Sequence, residues 1–180
     1  MKHFALFFLM GLFSVSAFGQ KVKAKTGPVL EDYGPTYAMP DADFKADPDK
    51  VYKVVFDVHN SPEDPTAVNP MLVTLARFLN MHASAGVPVE NLRAVGVIHN
   101  RASKDAMNNE AYREKFGVDN PNIALMEALE AAGAKIYMCG QSIHARGVDP
   151  DRMAEPVKTA LSAMTVFLSL QSEGYTLIRF

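Results

Sequence analysis

From residue 51 onward, hydrophobic positions alternate between two patterns, short β-branched runs and stripes that recur every three to four residues. Residues 51–58, VYKVVFDV, are β-branched and aromatic and are bounded by His59-Asn60-Ser61-Pro62, which predicts a buried strand. Asn69-Pro70 offers a cap followed by proline in the first helical position. Leu72, Leu75, Phe78, Leu79 and His82 then keep helical spacing up to Gly86. Residues 92–98 predict a second strand, ending at His99-Asn100, and the polar stretch 103–116 a short surface helix. Asn120-Pro121 repeats the cap signal and predicts a helix through Ala132, closed by Gly133. Residues 134–138 predict a third strand ending at Cys139-Gly140, and residues 157–160 a short fourth. Residues 162–173 predict a helix stopped by Gly174, and residues 175–180 the last strand.

Alternation of this kind, with nearly continuous apolar strands, implies a mostly parallel sheet of about five strands covered by helices on both faces. The helix at 162–173 is apolar around most of its circumference: Met164, Val166, Phe167, Leu168 and Leu170 leave only a narrow stripe of Ser and Thr. A helix packed on one sheet needs a single apolar face, so its outer side should be covered by the N-terminal arm, a neighbouring helix or another subunit. That arm is residues 20–50. Its four prolines forbid long helices or central strands, while Leu30, Tyr33, Tyr37 and Phe44 suit an extended segment pinned to the domain or to a neighbour.

The first residues follow a different logic. Lys2 and His3 precede an uncharged apolar run from Phe4 to Phe18, and Ala17 and Gly19 are small residues suited to a cut before Gln20. Residues 1–19 read as a secretory signal peptide, so the mature chain is expected to be exported, periplasmic or secreted. The apolar run is shorter than the ~20 residues of a membrane span, and no later stretch of the mature chain resembles one. A net charge of −2 without a Lys/Arg-rich run argues against nucleic-acid partners. One cysteine in 180 residues excludes an intramolecular disulfide and any multi-cysteine metal site.

In open parallel sheets, ligands bind beyond the carboxyl ends of the strands. Those ends carry His59-Asn60, His99-Asn100 and Cys139-Gly140, so three polar pairs are expected on one rim. Gly140 permits a sharp turn, and Gln141-Ser142 can open a helix whose free N–H groups face the sulfur and favour thiolate. The other reading of Cys139 is a small buried hydrophobe at a strand end. His82 lies on an apolar stripe and reads as a core residue. His59, His99 and Cys139 together have the ligand types of a zinc or copper site, with hydrogen bonding to loop backbone as the alternative, and no metal is assigned. His144 can tune the thiol or simply be exposed. Asp57, with Asn60 after it, suggests a catalytic acid, but an aspartate near a strand end reads more often as a loop cap or the partner of a Lys or Arg. No GxSxG, Walker loop or GxGxxG occurs, which argues against nucleotide and dinucleotide chemistry.

The segment KIYMCGQSIHARGV, residues 135–148, resembles the cysteine loop of the DsrE/DsrF-like family of sulfur-relay proteins, with Arg146-Gly147 closing the motif. Residues 51–58 and 157–180 resemble the family's opening strand and closing helix and strand, so the likeness spans residues 51–180. The resemblance implies a three-layer α/β/α fold, trimers or hexamers, and a Cys139 that carries persulfide sulfur between a protein donor and acceptor without a cofactor. Arg146 would hold the loop or face an anionic partner. The expected function is an exported persulfide carrier or thiol-dependent sulfur transferase. The alternative is a non-catalytic oligomeric module that binds a small ligand or metal at the rim.

Overall fold

The computed structural model describes residues 23–179, so the expected signal peptide lies outside the described residues. Five strands are named in chain order: β1 (Tyr52–Val58), β2 (Leu92–Ile98), β3 (Lys135–Cys139), β4 (Val157–Ala160) and β5 (Thr176–Ile178). They form one sheet in the order β4-β3-β2-β1-β5, and every neighbouring pair is parallel. The helices are α1 (Pro70–Ser84), α2 (Asn109–Phe116), α3 (Ile123–Ala131), α4 (Gly140–Arg146) and α5 (Ala163–Ser172).

The strand order dictates the layers. From β1 to β4 the chain steps across the sheet in one direction, and right-handed crossovers keep the intervening helices on one face. The return from β4 to β5 runs the opposite way, so the same handedness puts α5 on the other face. The core divides accordingly. Val54, Phe56, Val58 and Ile98 pack with Leu75 and Leu79 of α1 and Leu125 of α3. Val55, Val95, Val97 and Cys139 pack with Ala163, Val166 and Phe167 of α5. The result is a three-layer α/β/α sandwich in which one layer is, among the described residues, a single helix.

The N-terminal arm is anchored through one side chain that the sequence pattern did not mark. Asn80 of α1 is fully buried; its Oδ1 accepts from the N–H groups of Val29 and Leu30, and its Nδ2 donates to the carbonyls of Leu30, Tyr33 and Gly34. Leu30 is thereby buried, whereas Tyr37, Met39 and Phe44 stay exposed. The arm therefore lies on the α1 face and leaves the outer side of α5 uncovered by any of the described residues.

Three sequence expectations need correction. Residues 103–116 are not one surface helix: a 3-10 turn covers Asn100–Ala106, with Asp105 fully buried, before α2 begins. The helix expected after Asn120-Pro121 starts later, at Ile123, because Asn120 and Asn122 are occupied elsewhere. Asn120 Oδ1 accepts from the Asn122 N–H, and Asn122 Oδ1 accepts from the Asn69 N–H. The last strand is confined to Thr176–Ile178 because only those residues pair with β1. His82 is half-buried, its Nδ1 2.9 Å from the Phe78 carbonyl and its ring against Tyr52 and Phe78.

Candidate functional site

Helices leave the carboxyl edge of the sheet toward one face after β3 and toward the opposite face after β4. Open α/β sheets bind ligands where neighbouring strands send their connections apart. Cys139 ends β3 at this point. It is 5% exposed. It stands one residue before α4, and the first residue of α5, Ala163, packs against it.

Two glycines shape the loop. A Cβ on Gly140 would lie 2.8 Å from the Ala160 carbonyl oxygen, so only glycine lets β4 approach this closely. Gly147 ends α4 in the left-handed region at φ 61, where its N–H bonds the His144 carbonyl. Burial pushes the Cys139 thiol up. The Ser142 hydroxyl, then the N–H groups of Ala163, Ser142 and Gln141, outweigh that penalty and hold the thiol below its ordinary value. Donors from the starts of both helices thus favour thiolate. Ser142 is itself positioned from across the rim, because its Oγ accepts from the Asn100 N–H at 3.1 Å.

Asn100 has a positive φ of 53, a conformation asparagine tolerates better than most residues. Its side-chain oxygen accepts from Arg146, and its carbonyl accepts from Ser103 Oγ at 2.7 Å. Arg146 thus ties the cysteine loop to the end of β2. Asn60 contributes its carbonyl, which accepts from Asn69 Nδ2. His144 is exposed on α4, and its ring makes no hydrogen bond among the described residues.

The two strand-end histidines turn toward Asp57 instead of forming a metal centre with the thiol. Asp57 Oδ1 lies 2.7 Å from His99 Nε2 and 3.3 Å from His59 Nδ1, and Oδ2 lies 3.2 Å from Arg179 Nε. Among the described residues, no three His, Cys, Asp or Glu side chains converge as metal ligands. His99 also packs edge-on against Phe167 of α5. Asp57 has the arginine partner that the sequence reading offered it, whereas Arg179 was not a sequence candidate for the site. Asp57 did leave a signal, a single acid inside a run of buried β-branched positions. Arg179 left none, because its neighbour is set by the pairing of the first strand with the last.

A second polar network supports the rim from below. Buried Asp105 accepts from Ser61 Oγ, Lys104 Nζ and Asn69 Nδ2, while Asn69 caps α1 by accepting from the Met71 N–H. Every member found a partner, which suits a structural clamp.

The fold and site define a class: a three-layer α/β protein with a cysteine at the switch point of an all-parallel sheet. The model of the DsrE/DsrF-like family matches residues 53–180, and the chain belongs to that family. Two solved structures share the fold. One is a protein of unknown function, MTH1491, from Methanobacterium thermoautotrophicum, with 21% identity and a TM-score of 0.55, covering 72% of this chain and 99% of that one. The other is the ychN protein from E. coli, with 15% identity and a TM-score of 0.51 at the same coverage. No curated protein matches the sequence.

Proposed function

We propose that this protein is an exported sulfur carrier or thiol-dependent sulfur transferase in which Cys139 holds persulfide sulfur. The observation that carries the reading is the set of donors facing the Cys139 sulfur from Ser142, Gln141 and Ala163, which favours thiolate at the switch point. Membership of a sulfur-relay-type family supports it. The thiolate attacks the outer sulfur of a donor persulfide, holds it, and yields it to an acceptor thiolate. Donor and acceptor come from outside the chain, which has no second cysteine. Because Cys139 is buried, the donor group must be narrow or the α4 loop must move aside.

The test is mass spectrometry after treatment with a persulfide or polysulfide donor. Cys139 should gain about 32 Da, one sulfur atom, and the Cys139→Ser protein should gain nothing. Equal gain in both proteins would remove the thiol from the reaction.

Assembly and location belong to the same proposal. Met164 and Leu168 on the outer side of α5 are each 70% exposed, and Leu161 beside them is 72% exposed. A second copy of the chain is the occupant we assign to that face, in a trimer or a multiple of it. Among the described residues no helix is long and apolar enough to cross a membrane. Export predicts a mature protein found outside the cytoplasm and about 2 kDa lighter than its precursor.

A further inference from the structure

The carrier chemistry needs a proton acceptor, because a 5% exposed thiol has little water to take its proton. The neighbouring strand ends in an imidazole. Val58, Ile98 and Met138 are partners across β1, β2 and β3, so the next residues, His59, His99 and Cys139, form a row at the carboxyl edge. The His99 N–H continues the ladder to the Val58 carbonyl at 3.0 Å. Adjacent strands lie about 4.8 Å apart, which makes the backbones of His99 and Cys139 direct neighbours. Both belong to the α5 side of the sheet: Cys139 packs with Ala163, and His99 with Phe167.

The orientation of the imidazole is set from its other side. A carboxylate only accepts, so the 2.7 Å contact with Asp57 Oδ1 puts the neutral ring's proton on Nε2. Nδ1 is then the nitrogen able to take a proton. Asp57 is a buried anion, held by Arg179 on the side opposite His99, and it stabilises the imidazolium once formed.

We propose that His99, positioned by Asp57, exchanges the proton of the sulfur chemistry at Cys139, directly or through one water. This deepens the carrier reading and rests on it. In loading, the proton of Cys139 passes to His99 Nδ1 and the thiolate attacks the outer sulfur of a donor R–S–SH. The donor S–S bond breaks as the Cys139 S–S bond forms. The electron pair leaves on R–S⁻, which takes the proton back from His99. Cys139 thiol and R–S–SH become Cys139 persulfide and R–SH, with no external oxidant or reductant. His99 is the proton-transfer group and Asp57 a positioning residue. The titratable groups beside His99 are Asp57 and His59 from β1 and the turn after it and Cys139 from β3, with Arg179 beyond β5 acting on it through Asp57.

Alkylation by iodoacetamide tests this without any sulfur donor, and the single cysteine makes the mass readout unambiguous. Rates are followed from about pH 5 to 9 in the unaltered protein, His99→Gln and Asp57→Asn. The expected result is a His99→Gln profile moved upward, with alkylation about tenfold slower near neutrality, the equivalent of one pH unit in thiol ionisation. Asp57→Asn should move the same way by less. A folded His99→Gln protein whose profile superimposes on the unaltered one overturns the proposal. Should His99→Gln not fold, the ring-nitrogen spectrum of His99 in the unaltered protein decides. Alkylating Cys139 should change the protonation of that ring near neutrality, and identical protonation overturns the proposal. Sulfur loading is measured separately, so absent loading with a shifted alkylation profile defeats the carrier reading alone.

Discussion

Asp57 Oδ1 sits 2.7 Å from His99 Nε2, joining a buried acid on the first strand to the residue beside Cys139. The same carboxylate holds Arg179, so one side chain ties together the turns after β1 and β2 and the end of β5. Asp57→Ala should destabilise the protein by about 1–3 kcal/mol, since the two strand-end histidines and Arg179 lose a common acceptor. Urea unfolding measures it. A loss within about 0.5 kcal/mol would mean that water replaces the carboxylate at the rim.

Ser142→Ala removes the strongest of the contacts that hold the Cys139 thiol down. The thiol should titrate at higher pH, followed by thiolate absorbance in the ultraviolet. The Asn100 N–H also loses its acceptor, adding a stability cost of about 1 kcal/mol. An unmoved titration would assign the thiolate to the backbone donors alone.

Stability should also depend on pH through this thiol. Its folded value lies below the ordinary 9.0, so the folded state binds the thiol proton more weakly than the unfolded chain does. The contribution is fully present above 9.0 and is lost as pH falls through the lowered folded value. Relative to Cys139→Ser, the protein should therefore gain stability as pH rises through that window. A difference that is flat or falls with pH over the same range contradicts it.

Gly140→Ala puts a methyl group 2.8 Å from the Ala160 carbonyl oxygen and 3.1 Å from that of Leu161. Both obstacles are backbone, so β4 must shift, at a cost of about 1–3 kcal/mol. Thermal unfolding reads the cost. The same shift should move Ala163 away from Cys139 and raise the thiol, and a stable variant with unchanged titration would show that the close approach does not tune the sulfur.

On α5, changing Met164 and Leu168 to Asp should leave a folded monomer, whereas the unaltered protein is expected to be a trimer or its multiple. Both side chains are 70% exposed, so the monomer loses no core packing. Light scattering at micromolar concentration reads the result. A monomeric unaltered protein ends the proposal of a second copy on this face.

Local pattern was enough for the central strands, because a strand buried on both faces writes its own run of β-branched residues, as residues 51–58 and 92–98 do. It also marked Asn69-Pro70 as the start of α1 and the thiol of Cys139 as a strand-end group, since caps and strand ends depend on adjacent residues. It misplaced the start of α3 and the turn around Asp105, where asparagine and aspartate side chains bond residues far along the chain. Strand order lay beyond it too. Placing β5 beside β1 brings Arg179 to Asp57, and reversing direction after β4 sends α5 to the opposite face, with Ala163 beside Cys139. Periodicity reports which side of an element is buried but carries no record of which element buries it. The sequence by itself therefore determined the central strands and the candidate cysteine, and only the tertiary pairing decided what surrounds the sulfur.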